Sequence, residues 1–195
     1  VGDLRAEQPD RTDLDELNRL VDTGKLLEVA DYCREQLGAR YTEILSDRLR
    51  GGSGKLPKPH KIVMQLPFRA IVTTNYDKLL ERAYADLQGG RWPKTPTHRS
   101  KMLGRLLFDG GFFILKAHGD IDEADDLVLS SRDYHEIIHA NVAFNEVIST
   151  ILQTNAILFL GYSLTDPDFR LLLDRQLAVF EDNVPPRYAL MSGVG

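Results

Sequence analysis

Apolar positions recur along the first quarter of the chain at spacings of three and four, as in helices that bury one face. Leu14, Leu17, Leu20 and Val21 form one stripe, and Leu26, Leu27, Ala30, Cys33 and Leu37 form a second. Tyr41, Ile44, Leu45 and Leu49 form a third. Gly24 and Gly38 stand between the stripes as helix stops. Gly51 to His60 breaks the periodicity with glycine, serine and proline, so residues 12–60 read as a helical segment closed by a loop. Gly54-Lys55 in that loop does not make a phosphate loop, because Leu49 and Leu56 occupy positions that require Gly and Ser or Thr.

From residue 61 the pattern alternates. Ile62 to Leu66 reads as a short helical turn stopped at Pro67, Ala70 to Thr74 as a strand, and Asp77 to Leu87 as a helix. In that helix Leu79, Leu80 and Ala83 form the apolar side and Lys78, Glu81 and Arg82 the charged one. Residues 89–100 read as a Pro- and Thr-rich loop, 101–108 as a helix, and Phe112 to Lys116 as a strand after Gly110-Gly111. One or two helices follow over 132–153, then a strand at Ala156 to Leu160, a helix from Asp166 to Phe180 and a last strand at Arg187 to Met191. Strands separated by helical crossovers imply parallel pairing and an α/β class.

With 195 residues, 43 % of them hydrophobic, the chain can bury the core of a single domain spanning 1–195, its α/β core lying in 61–195. The net charge is −5, and Lys and Arg are scattered rather than striped, so no nucleic-acid footprint is present. The acidic stretch Asp120 to Asp126 is expected as a solvated turn. Cys33 is the one cysteine, which excludes an intrachain disulfide and a four-cysteine zinc site, and its place on an apolar stripe predicts a buried thiol. No apolar run reaches the roughly 18 residues that span a membrane and no signal peptide is visible, so the expectation is a soluble, cytoplasmic protein.

Three polar motifs each sit at the end of an apolar, β-rich run. Thr73-Thr74-Asn75-Tyr76-Asp77 follows Ala70-Ile71-Val72, His118-Gly119-Asp120 follows Phe112 to Leu115, and Gly161-Tyr162-Ser163-Leu164 follows Ala156 to Leu160. In open parallel sheets ligands bind outside the carboxyl ends of the strands, so these tips are the candidate site. The Asn75 amide can orient a ribose hydroxyl, a carboxamide or a water, or can cap the helix that begins just after it, a role Asp77 could share. His118 can take a proton from a hydroxyl or water and return it, and Gly119 lets a ligand or another backbone come close. Gly161 and Ser163 suit a phosphate or ribose at a strand-to-helix turn. Asp166 and Asp168 read as first-turn acids around Pro167. His135 and His139, spaced i, i+4, lack a third ligand and read as an ordinary helix face. His60 and His98 fall in Pro-rich loops without a constellation.

With the three motifs in this order, the chain resembles the sirtuin-like superfamily, and within it the bacterial effector domains rather than the sirtuin deacylases. Thr73 to Asp77 is similar to that family's Thr-Thr-Asn-Tyr-Asp signature, His118-Gly119 to its catalytic His-Gly pair, Ser130 to Tyr134 to a further element, and Phe159 to Leu164 with Asp166 to its NAD-binding strand tip. The resemblance implies a Rossmann-like parallel sheet with flanking helices and a helical insertion near the amino end. It implies cleavage of NAD, as substrate, at the nicotinamide–ribose bond, in an NADase effector of antiviral defence.

Asn75 and His118 would be catalytic, with Thr73, Thr74, Asp77, Gly119, Gly161 and Ser163 binding the dinucleotide. No metal is implied, and a single cysteine cannot build the deacylases' zinc ribbon. The alternatives are a non-catalytic NAD-binding scaffold and an NAD-dependent protein deacylase. A homo-oligomer, or a sensor module on the same chain or a partner, is the implied assembly, with no direct contact to nucleic acid or membrane. The amino-terminal Gly-rich loop and the final strand and helix of the family are not found, which predicts a domain truncated at both ends.

Overall fold

The computed structural model describes residues 11–38, 40–49, 54–162, 167–181 and 183–190. The chain divides into two compact units, 1–100 with 111–133, and 101–110 with 134–195.

The first unit opens with helices α1 (Arg11–Asp22), α2 (Leu26–Leu37) and α3 (Arg40–Leu49). Gly24 closes α1 in the left-handed region, φ +72°, where glycine carries no side-chain penalty, and the Lys25 amide returns to the Leu20 carbonyl. The three apolar stripes meet in a core of Leu17, Cys33 and Tyr41, flanked by Val29, Tyr32, Leu37, Leu45 and Leu129. Cys33 is buried there, as its stripe predicts, and burial pushes its thiol pKa up.

This helical layer is tied to the later chain by Arg34. Its guanidinium meets both Asp133 carboxylate oxygens at 2.6 and 2.8 Å. Asp133 also accepts from the Leu129 and Ser130 amides and the Ser130 hydroxyl. Burial pushes the Asp133 carboxyl up, but Arg34 and these donors outweigh it and hold the group below the usual carboxylate range. Its stabilisation is therefore complete above the unfolded carboxylate pKa of about 4 and is lost as pH falls through the lower folded value. Asp133→Ala should cost about 2–3 kcal/mol, read as a shifted urea midpoint at pH 7, because it leaves several half-buried donors unmatched.

Helix α4 (Lys58–Gln65), with Pro59 in its first turn, packs on α5 (Leu79–Leu87). Between them in sequence lies strand β1 (Ile71–Thr73), a β-branched triplet. Strand β2 (Ile114–Lys116) pairs parallel with it, Ile71 beside Ile114 and Thr73 beside Lys116. Met64, Ala83 and Ile114 form the core under these elements, with Tyr84 stacked on Phe112 at 4.9 Å. The segment 94–97, expected as plain loop, runs along the other side of β2. The Ile114 amide donates to Lys94 and the Lys116 amide to Pro96, both at 2.9 Å, and isolated parallel bridges join Lys94 to Phe113 and Thr97 to Lys116. Strand β2 is thereby flanked on both edges and wholly buried.

In the second unit the expected helix over 101–108 is a short 3-10 turn, Leu103–Leu107. The segment 132–153, expected as one or two helices, is two, α6 (Ser131–Ala140) and α7 (Val142–Thr154), split at Asn141, whose side chain accepts the Phe144 amide at 3.1 Å. Helix α7 buries Phe144, Val147, Ile148 and Leu152 and packs on the 3-10 turn and on α8 (Pro167–Phe180). Strand β3 (Ile157–Leu160) pairs parallel with β4 (Arg187–Leu190), in register from Ile157–Arg187 to Leu160–Leu190. Both strand pairs are parallel, as the helical crossovers require. Among the described residues no helix is long and apolar enough to cross a membrane.

Candidate functional site at the strand ends

The register of the first unit fixes which polar residues leave the sheet together. Thr73 and Lys116 are neighbours, and the Ala117 amide donates to the Thr73 carbonyl at 2.8 Å, so the segments after β1 and β2 emerge side by side. They stay joined beyond the strands, where the Ile121 amide reaches the Tyr76 carbonyl at 3.1 Å; within the segment after β2 the Val128 amide reaches the His118 carbonyl at 3.0 Å. The Tyr76 hydroxyl donates to the Val128 carbonyl at 2.7 Å. Thr73, Thr74, Asn75, Asp77, His118 and Gly119 thus gather at one end of the sheet, as the sequence pattern expects.

Within that cluster each residue has a distinct place. Thr73 Oγ1 accepts the Asn75 amide at 3.1 Å, and Asp77 Oδ1 accepts the Leu79 amide at 2.8 Å in the first turn of α5. Neither Asn75 nor Asp77 is the helix cap: that position falls to Lys78, whose side chain makes no cap bond, and Asp77 closes an Asx-type turn just before it. Asn75 is exposed, and among the described residues its side-chain amide makes no hydrogen bond. His118 is buried, 4 % exposed. Gly119 has φ +91°, and a Cβ there would stand 2.3 Å from the Asp126 carbonyl oxygen. The close approach that its size permits is therefore to backbone.

Gly161 ends β3 in the second unit, exposed and at φ +59°. Ser163, Leu164 and Asp166 lie outside the described residues, as do Met191 and residues 51–53. His135 and His139 share one exposed face of α6, rings 4.4 Å apart. Among the described residues no group of three His, Cys, Asp or Glu side chains could hold a metal ion.

Two features escape the sequence pattern. The first is ionic. Lys116, with no exposed surface, donates to the carbonyls of Tyr76 and Asp77 at 2.8 and 2.5 Å and pairs with Glu81 at 3.1 Å and Asp120 at 3.3 Å. Lys78 meets Asp120 at 2.6 Å and Asp122 at 3.0 Å. The expectation of a solvated acidic turn fails at its first residue: Asp120 is 5 % exposed, facing two lysines. Burial raises its pKa, but the Asp122 amide, Lys78 and Lys116 hold it below the ordinary value. Glu81 is likewise buried instead of solvent-facing, drawn inward by Lys116.

The second is His98. It follows Thr97, which bridges to Lys116, and so leaves the sheet at the same end as His118 and Asn75. Arg99 Nε donates to its Nε2 at 3.4 Å and lies 3.5 Å from Asp126. Burial, followed by the charge on Arg99, lowers the His98 pKa to about 4, so the ring is neutral near pH 7. The unfolded chain binds a proton at about pH 6.5. Stability linked to His98 is thus complete above that value and is lost as pH falls from there toward the folded pKa of about 4. Imidazole NMR titration should find His98 uncharged down to about pH 4, and His98→Gln should flatten the stability profile between that pH and neutrality.

Adjacent parallel strands ending in an exposed amide and a buried imidazole define an α/β protein with its candidate site at the strands' carboxyl ends. The model of the SIR2-like domain matches residues 69–195, and the chain belongs to that family.

Proteins named NAD(+) hydrolase ThsA are similar to it. Those from Enterococcus faecium and Acinetobacter baumannii (strain 532279) are 29 % and 33 % identical over 172 and 168 residues, or 85 % and 84 % of this chain. The alignments cover 35 % and 33 % of those proteins, so the chain spans about a third of their length. Defense-associated sirtuin 2 of Bacillus subtilis is 26 % identical over 134 residues, 67 % of this chain and 13 % of that protein.

Proposed function

We propose that this chain is the catalytic part of an NAD glycohydrolase, which splits NAD into nicotinamide and ADP-ribose or a cyclic variant of it. The observation that carries the reading is the pairing of an exposed Asn75 amide with a buried His118 at the ends of adjacent parallel strands. The names of the ThsA relatives support the same substrate and reaction.

The chemistry suits these groups. Departure of nicotinamide builds positive charge on the ribose, an oxocarbenium-like state of the kind met in glycoside cleavage. Asn75 would orient the nicotinamide-side ribose or the attacking water through an amide that donates and accepts. His118 would take the proton from that water or from a ribose hydroxyl. Asp77, with one carboxylate oxygen engaged by the Leu79 amide, would lie near the carboxamide. A role in defence draws support from the name of the Bacillus subtilis relative; NAD depletion as its means, and an oligomer or a sensor module as the activating context, are part of the same proposal.

The test is product analysis. The full-length protein incubated with NAD alone should release free nicotinamide, resolved by chromatography. Release only when an acylated peptide is added would mean a deacylase. Binding of NAD without product would mean a scaffold.

A further inference from the structure

We propose that Lys116 is a positioning residue for the reaction: its ammonium clamps the loop that carries Asn75 onto the strand end that carries His118. The inference rests on the hydrolase reading for its catalytic consequence, while the clamp itself is a matter of structure.

A lysine with no exposed surface is costly, because the ammonium gives up its water and regains stability only through good partners. Lys116 finds them on both sides of the site. Two of its three donors go to the Tyr76 and Asp77 carbonyls, the two residues that follow Asn75. The remaining charge is met by Glu81 on α5 and Asp120, two residues after His118. Residues 74–78 lie in neither helix nor strand, so tertiary bonds must fix their backbone.

Packing alone does not require this arrangement, since buried ion pairs can often be replaced by apolar residues of similar volume at little cost in stability. What an apolar side chain cannot do is donate twice, drawing two successive carbonyls to one point. Tyr76 illustrates the effect: its carbonyl is held by Lys116 and by the Ile121 amide together. The clamp therefore joins the chain after Asn75 to the chain around His118. It sets the spacing of the two side chains although Lys116 itself touches no substrate.

Two readouts on the full-length protein test this, comparing Lys116→Met with Leu17→Ala, a core change among α1–α3 that destabilises without touching the loop. In Lys116→Met the amides of residues 74–78 should exchange with deuterium at least ~10-fold faster, beyond any change in the rest of the first unit. The kcat for nicotinamide release should fall about 100-fold while KM moves little, the signature of lost alignment in the transition state. Leu17→Ala should show neither the local exchange nor the selective loss of kcat. If Lys116→Met fails to fold, Lys116→Gln takes its place, since its shorter amide can reach at most one carbonyl. Exchange at 74–78 that rises no more than elsewhere, or a kcat within threefold of wild type in a folded variant, would overturn the proposal. Absence of nicotinamide release from wild type would instead overturn the hydrolase reading, and the exchange result would still decide the clamp.

Discussion

Asn75→Ala and His118→Ala in the full-length protein should each remove nearly all nicotinamide release from NAD. Loss of a positioned general base costs about 10²–10⁴-fold, and loss of a preorganised polar group beside developing charge about 10²–10³-fold. The two variants differ usefully as controls. His118 is buried, so removing its ring disturbs packing as well as chemistry. Asn75 is exposed and its side-chain amide has no partner among the described residues, so its removal should leave the urea midpoint unchanged. A fall in kcat at constant stability in Asn75→Ala therefore isolates the chemical role. The double variant should lose little more than the worse single one, because groups that act on one transition state are not additive. Release that survives both substitutions would sink the site assignment.

The part of this molecule that the sequence conveys is the part where one residue's environment follows from its neighbours. Ala70-Ile71-Val72 and Phe112 to Leu115 are short apolar runs closed by polar motifs, and both become strands whose tips meet. Parallel pairing follows from the crossovers between them. Asn141 splits a long helical stretch because its side chain satisfies a helix amide, a signal that composition alone leaves ambiguous between one helix and two.

What stays hidden depends on partners distant along the chain. Glu81 sits between Leu80 and Arg82 and reads as part of a charged helix face, yet Lys116, thirty-five positions later, draws it into the interior. Asp120 opens an acidic run and reads as solvated, yet it pairs with two lysines. Residues 94–97 have neither periodicity nor β-branched density. They join the sheet edge through two carbonyls, and His98 reaches the site end only because of that pairing. A local pattern carries no term for such contacts.

Gly119→Ala should be among the most damaging single-methyl changes available in this chain. The φ of +91° lies where side-chain-bearing residues pay a steric penalty, about 1–3 kcal/mol for a strained backbone of this kind. The added Cβ would also stand 2.3 Å from the Asp126 carbonyl oxygen, and backbone cannot swing aside as a flexible side chain would. Relieving the overlap means moving the turn that holds Asp126, close to the Arg99–Asp126 pair at 3.5 Å and to the Val128 amide bound to the His118 carbonyl at 3.0 Å. Forcing extra volume into a packed site costs a further 1–3 kcal/mol or so, for a total of about 2–6 kcal/mol, measurable as a lowered urea midpoint. Because the displaced turn leads into Val128, whose amide holds the His118 carbonyl, kcat should drop with stability, and added NAD should not restore it. Should Gly119→Ala instead raise KM while leaving both kcat and the urea midpoint intact, the glycine would be serving a bound ligand, and the backbone contact would not be its reason for being there.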